Sequence, residues 1–362
     1  MKNRVKQIYR NLDRNVDIVV LANSTDPHID ATFYYATGIT TGLFEGCAAF
    51  LHPDGHIDLL ASQLEEETAK KVGLPITPFM TRRQLMRGLR KHLEGHRRIG
   101  LNFEEITHNY YDRLRKLAPK ARFINVSEAV RAARSVKDEH EQELIEKACR
   151  IASDAFEDLI PMIGKGMRED ELAADLVYLM QKHGAGGASF ETIVASGPNG
   201  AEPHYTAGTK KLQKGELVVF DFGAKYHKYV SDITRTVVVG RASERQKRMH
   251  SVVERAQEAA LAKMRKGVKG AAVDKAARDL IEKSEFKGRF IHSLGHSIGL
   301  AVHDGAGLGP ASKVVLKPGM IFTNEPGVYI SGYGGVRIED NVLITAGKPR
   351  TLTTATRELI EV

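Results

Sequence analysis

The chain has no tryptophan, only two cysteines and 7% aromatic residues in 362 positions. No apolar run approaches the roughly 20 residues of a membrane-spanning helix. Cys47 and Cys149 are too few and too far apart in sequence for a disulfide framework or a thiolate metal site, so a reducing, cytoplasmic setting is expected. The opening MKNRVKQIYRNLDRN has basic residues with no apolar core behind them, which is not the pattern of a secretory signal peptide. Low-complexity tracts, collagen periodicity and sustained heptads are missing too. With 42% hydrophobic and 27% charged residues, the composition is that of a folded protein with a large core, and the length suggests two domains.

Charge is only mildly one-sided, with 53 Lys+Arg against 45 Asp+Glu for a net +8. Residues 1–136 carry 21 basic against 15 acidic side chains, and the rest of the chain 32 against 30, so the excess sits in the first part. Much of it lies in Arg82, Arg83, Arg87, Arg90 and Lys91, on a predicted helix opened by Thr81, and in Arg97 and Arg98 just beyond. No aromatic stacking surface accompanies these charges. A solvated basic face is the plainer reading, and nucleic acid is not an expected partner.

The first third alternates strands and helices: strands over Asp17 to Ala22, Ala48 to Leu51, His56 to Leu60 and Ile99 to Leu101, and helices near Gln63 to Lys71, Arg82 to Leu93 and Asn109 to Leu117. This predicts a small N-terminal α/β domain over residues 1–130. Ser135, with Asp138 three positions on, is the expected cap of a long helix whose apolar positions recur until Pro161 stops it. A boundary just before that cap leaves 138–362 as a second domain. Helices are expected there near Glu169 to His183, Ser243 to Met264 and Ala271 to Lys283, segregated from strand-rich stretches. That order predicts an α+β domain with antiparallel sheet.

Chemistry-bearing residues concentrate in the second domain. Asp221 lies in the apolar strand Leu217-Val-Val-Phe-Asp-Phe-Gly223, where a bare carboxylate is costly to bury without a cation. Asp232 follows in Ser231-Asp-Ile-Thr-Arg-Thr236 and can lie beside Asp221 on the adjacent strand of one hairpin. Either alone could be a cap or an ion-pair partner. Further on, His296 and His303 stand in His292-Ser-Leu-Gly-His-Ser-Ile-Gly-Leu-Ala-Val-His-Asp304, Glu325 in Asn324-Glu-Pro-Gly327, and Glu339 in Val336-Arg-Ile-Glu-Asp340. Two aspartates, two glutamates and one imidazole embedded in apolar strands make a hard, oxygen-rich donor set. Such a set suits a pair of divalent ions.

In these motifs the sequence resembles the dinuclear metallopeptidases of the pita-bread fold, specifically the branch that contains Xaa-Pro dipeptidase (prolidase) and Xaa-Pro aminopeptidase. The likeness spans nearly the whole chain. It implies a pita-bread catalytic domain behind a smaller creatinase/prolidase-like N-terminal domain, and two divalent ions per chain drawn from Mn, Co, Zn or Fe, with Mn foremost. By resemblance Asp221 chelates one ion, Asp232 and Glu339 bridge both, and His296 and Glu325 complete the other, Glu325 doubling as the acid/base group. His204, in Glu202-Pro-His-Tyr205, matches the histidine that lines the substrate pocket and assists the transition state. His303 matches one expected to hydrogen-bond the scissile carbonyl, and His292 and Arg337 match proline-pocket and acid-bridging positions. Two residues depart from the family pattern. Lys228 and Ser297 stand where glycine is common, which bears on loop shape and substrate access.

The resemblance implies hydrolysis of short peptides with proline at the second position, by a homodimer with no membrane role. An Xaa-Pro dipeptidase is the leading expectation and an Xaa-Pro aminopeptidase the alternative. A non-hydrolytic pita-bread binding protein is disfavoured because all of the ligand positions are filled.

Overall fold

The computed structural model describes residues 1–362, which divide into two compact units, Met1–Arg134 and Ser135–Val362. In the first unit, strand Ile18–Ala22 sits inside a six-stranded mixed sheet. It runs antiparallel to Ala48–Leu51 on one side and parallel to Arg98–Leu101 on the other. Ala48–Leu51 forms a hairpin with Ile57–Ser62, close to the expected strands. Helix Arg82–Leu93 opens on a capping box between Thr81 and Gln84. Its Leu85, Leu89 and Leu93 pack on Ile18, Val20, Phe50 and Leu60 of the sheet. Arg83, Arg87 and Arg90 are exposed on the opposite side, as 3.6-residue periodicity requires. The expected helix Gln63 to Lys71 splits into a 3₁₀ turn, Gln63–Glu65, and a short helix, Glu66–Lys70. Three helices lie outside the sequence expectations: Lys2–Arg10, Ala31–Thr37 and Ser127–Ser135.

Ser135 does not cap the long helix that begins the second unit. It ends Ser127–Ser135, and the cap of Glu139–Leu159 is Asp138. Asp138 accepts from the Glu141 backbone N–H, and the Glu141 carboxylate reaches back to the Asp138 N–H, at 2.9 and 3.0 Å. A glutamate is long enough to close that reciprocal pair, whereas Asp138, three residues after Ser135, is one methylene shorter.

Strands Ile193–Ser196, Leu217–Phe222 and Ile233–Val238 form an antiparallel sheet, with Ile360–Glu361 added in parallel at its edge. Ile321–Asn324 pairs with Asp340–Leu343, and Gly327–Ile330 with Gly334–Arg337. Helices Glu244–Lys263 and Gly270–Glu282 close the core over these strands, with Val253, Ala256, Val273 and Ala277 among Phe322, Val336 and Ile338. Segregated helices and antiparallel strands are the arrangement that the sequence predicts.

Register sets the distance between the two aspartates. Asp221 pairs with Thr234, so Asp232 lies diagonally across the ladder. Between the aspartates the chain makes a side hairpin, Ala224–Tyr226 with Tyr229–Val230. Its turn residues His227 and Lys228 have φ of 48° and 73°, a left-handed conformation in which glycine is unstrained and lysine is not. Gly223, at the root of the hairpin, has a different constraint: a Cβ there would meet the Ser231 carbonyl oxygen at 1.9 Å and Ser189 Oγ at 2.2 Å. Gly223→Ala is therefore expected to cost about 1–3 kcal/mol through overpacking. Thermal melts should show a lower midpoint. An unchanged midpoint would mean that the hairpin can shift without penalty.

Candidate active site

Each acidic side chain singled out from the sequence comes from the end of a different strand. Asp221 is the next-to-last residue of Leu217–Phe222, Asp232 precedes Ile233–Val238, Glu325 follows Ile321–Asn324, and Glu339 joins Gly334–Arg337 to Asp340–Leu343. His296 ends the short strand Gly295–His296. All of the candidate ligands, together with His204, His292, His303 and Arg337, line one cavity of about 470 Å³. Asp232, His296 and Glu339 offer ligand atoms that lie within 4.8 Å of one another. His296 Nε2 is 3.3 Å from Glu325 Oε1 and 3.6 Å from Asp232 Oδ2. Thr323 ties this corner together: its Oγ1 accepts from the His296 backbone N–H at 2.8 Å and donates to Glu325 Oε1 at 3.0 Å.

Burial dominates the electrostatics. Asp232 and Glu339 are held well above the usual carboxylate range, first by desolvation and then by the neighbouring carboxylates. Glu325 is pushed up to about 8 by burial, an effect that Arg337 opposes and Asp221 reinforces. His296 is pushed down to about 4 by burial and then by His303, so its imidazole is neutral at pH 7 and free to ligate. Asp221 Oδ1, Glu339 Oε1 and His296 Nδ1 are buried without a hydrogen-bond partner. Arg337 is the one arginine that lines the cavity, against four carboxylates. Orphaned carboxylate oxygens, a neutral imidazole and an uncompensated negative set fit divalent cations.

Arg337 is buried and engaged at every nitrogen. Nη2 meets Asp221 Oδ2 at 2.5 Å, Nη1 donates to the Tyr329 hydroxyl at 2.7 Å, and Nε donates to Thr234 Oγ1 at 3.0 Å. Thr234 in turn donates to Glu339 Oε2 at 2.6 Å, so a single arginine orients carboxylates on two strands. Tyr329, accepting from Arg337, donates to His292 Nε2 at 2.9 Å. His292 then carries its proton on Nδ1, which faces the Ser293 carbonyl at 2.8 Å. Burial first, then Arg337, lowers His292 to about 4 and keeps it neutral. His204 and His303 are exposed to the cavity, and the His303 ring lies 4.1 Å from that of His296.

Several supporting residues were not anticipated. Tyr329 links Arg337 to His292, Thr323 links His296 to Glu325, and Asn341 Oδ1 accepts from the Asp232 backbone N–H at 3.0 Å and from Cys149 Sγ at 3.1 Å. Tyr329 had a sequence signal, because a phenol in the apolar run Val328-Tyr-Ile330 needs a buried partner. Thr323 and Asn341 sit among ordinary strand residues and give none.

Residues 143–346 match metallopeptidase family M24, and residues 4–136 match the creatinase/prolidase N-terminal domain. The chain is 38% identical to the Xaa-Pro dipeptidase of Pyrococcus horikoshii, over 99% of both chains. Its structure resembles that of an Xaa-Pro dipeptidase from Bacillus anthracis, with a TM-score of 0.91 and 32% identity over 99% of each chain. It resembles equally an X-Pro aminopeptidase from Thermotoga maritima, with a TM-score of 0.91 and 33% identity over 98% of this chain and 100% of that one. With the carboxylate and imidazole set gathered in one cavity, and the creatinase/prolidase N-terminal domain preceding it in sequence, the chain belongs to metallopeptidase family M24.

Proposed function

We propose that the protein is a metal-dependent exopeptidase that splits the bond between an N-terminal residue and proline in Xaa-Pro dipeptides. The observation that carries this reading is the single cavity in which two buried and two half-buried carboxylates and a neutral imidazole face two exposed histidines. The full-length likeness to a protein named Xaa-Pro dipeptidase supports the substrate. Asp221, Asp232, His296, Glu325 and Glu339 would hold two divalent ions, Mn foremost. When bound, the ions supply Lewis acidity toward the scissile carbonyl and lower the pKa of water.

The chain's own residues do the rest. A bond to proline has no N–H to bind, so the site must orient its substrate by other contacts. Glu325 takes a proton from the attacking water and returns it to the leaving proline nitrogen. His303, on the cavity wall beside His296, donates to the developing oxyanion, and His204 lines the substrate pocket. Arg337 holds Asp221, and through Thr234 also Glu339, in ligating orientation, while the Tyr329–His292 pair presents a neutral imidazole to the proline side. An Xaa-Pro aminopeptidase is the second reading, favoured by the equal likeness to the Thermotoga maritima X-Pro aminopeptidase. No helix is long and apolar enough to cross a membrane. The reading includes a cytoplasmic homodimer, and light scattering that returned a 40.0 kDa species would count against the dimer.

Three outcomes are expected. Mn-loaded protein should release proline from an Xaa-Pro dipeptide faster than from an Xaa-Pro-Yaa tripeptide, and chelation should abolish both reactions. Faster turnover of the tripeptide would favour the aminopeptidase, and full activity in metal-free protein would sink the mechanism.

Glu325→Ala should lose bound metal and turnover together. His303→Ala should keep its metal and lose about 10²- to 10³-fold in kcat, the usual consequence of deleting one oxyanion donor. Elemental analysis beside kinetics separates the two roles, and a metal-depleted His303→Ala would make His303 a ligand or a ligand-orienting group.

The third outcome concerns pH. Glu325 rises from 4.5 to about 8, so between those values the metal-free fold retains a proton that the unfolded chain has lost. Stability of the metal-free protein should therefore fall as pH rises through that window. Metal ions displace that proton, so loading should raise the melting midpoint more at pH 8 than at pH 5. Equal gains at both pH values would show that the carboxylates are already ionised without metal.

A further inference from the structure

His204 stands in a loop that one buried carboxylate suspends from both ends. Glu169, the first residue of helix Glu169–Lys182, is 0% exposed and lies outside the cavity lining. It accepts five hydrogen bonds, all from residues 196–205. Oε1 takes the Ser196 backbone N–H and Ser196 Oγ at 2.7 Å each and Asn199 Nδ2 at 3.1 Å. Oε2 takes Asn199 Nδ2 at 3.2 Å and the Tyr205 hydroxyl at 2.9 Å.

Ser196 opens this loop and Tyr205 closes it, one residue after His204. Asn199 Nδ2 also donates to the Tyr205 hydroxyl at 2.8 Å, so the three donors form one cluster on the carboxylate. The loop is wedged from its other side as well. A Cβ at Gly335 would meet the Gly200 carbonyl oxygen at 1.9 Å, and Pro203 O lies 3.5 Å from Arg337 Nη2. No cation pairs directly with Glu169. Lys210 Nζ approaches only as far as Ser196 Oγ, at 2.7 Å, and spends its charge on Glu216 Oε2, at 2.7 Å. The charge of Glu169 is instead met by charge-assisted hydrogen bonds and by the N-terminus of its own helix.

We propose that Glu169 is a positioning residue that fixes the loop carrying His204, and so sets where that imidazole meets the substrate. The inference rests on the reading of the cavity as an Xaa-Pro peptidase site. Glu169 touches neither the cavity nor a candidate metal ligand. Its loss should therefore displace His204 while leaving the metal set intact. A misplacement of about 1 Å at a catalytic group lowers rate on the order of 10²-fold.

The test uses Mn-loaded full-length protein, an Xaa-Pro dipeptide and a double-mutant cycle with His204→Ala. Glu169→Gln keeps the side-chain volume but replaces one acceptor oxygen with an NH₂ that cannot accept from Asn199 or Tyr205. In the wild-type background it should lower kcat/KM by about 10- to 100-fold with metal content unchanged. In the His204→Ala background the further loss should shrink below about threefold, because the group it positions is gone. Hydrogen exchange should speed up at residues 196–205 of Glu169→Gln. Equal losses in both backgrounds, an unchanged kcat/KM, depleted metal or unaltered exchange in the loop would each overturn the assignment. If Glu169→Gln does not fold, Tyr205→Phe removes one of the same hydrogen bonds and should show the faster loop exchange with a smaller loss of kcat/KM; unchanged exchange there overturns the assignment too. A wild-type protein that released no proline would sink the peptidase reading, while loop exchange would still judge the role of Glu169.

Discussion

A surplus of carboxylate in an apolar place is the constraint on which the second unit depends. The same strands show how the chain neutralises a buried acid when the role is structural. Asp340 follows Glu339 directly and is just as buried, yet it receives Arg235 Nη2 at 2.8 Å, Arg357 Nε at 2.6 Å, Gln257 Nε2 at 2.8 Å and the Thr353 hydroxyl at 2.5 Å. Asp274 likewise has Arg278 across two hydrogen bonds of 2.8 Å. Glu339 has the Thr234 hydroxyl and one oxygen with no partner. Both kinds of buried acid occur in one fold, so the uncompensated ones are not an accident of crowding. A cation would complete them, since an unpaired buried charge costs several kcal/mol and otherwise neutralises by taking up a proton.

That constraint also explains why the ligands come from so many strands. A carboxylate in the middle of a strand would displace core side chains, whereas one at a strand end projects into the space between sheets. The five candidate ligands span Asp221 to Glu339 in sequence and meet only when the sheets have paired in register, including the Glu339 backbone N–H on the Thr234 carbonyl at 3.1 Å. A one-residue slip on either strand would turn its carboxylate to the opposite face. Metal binding at these residues would therefore report correct register among the strands that carry them, and couple folding to the formation of the site.

Much of this was legible in the sequence, for specific reasons. Asp221 and Asp232 stand out because charge is rare in strands as apolar as theirs, and the helices Arg82–Leu93, Glu139–Leu159 and Glu244–Lys263 announce themselves through long apolar periodicity. The helix Lys2–Arg10 buries only Val5 and Ile8, too short a stripe to separate from chance. Ala31–Thr37 buries nearly all of its side chains and so shows no amphipathic pattern. The choice between Ser135 and Asp138 as cap turned on side-chain reach, which spacing alone does not weigh. Partners such as Thr323 and Asn341 are invisible in sequence because their roles arise from contacts 27 and 109 residues away.

The basic helix of the first unit and the acidic cavity of the second pull the functional reading in different directions, and the physics separates them. Arg83, Arg87 and Arg90 project from a helix whose opposite face is fully spent on the sheet, so their arrangement follows from amphipathic packing alone. No such economy explains the cavity, where the fold bears a standing electrostatic penalty to keep four carboxylates together. A penalty of that kind is retained for chemistry. The scaffold itself does not decide how long the substrate is, because a protein named as a dipeptidase and one named as an aminopeptidase match this chain with the same TM-score of 0.91. The loop of residues 196–205 brings exposed His204 to that cavity and hangs on the Glu169 carboxylate, which lies outside the lining.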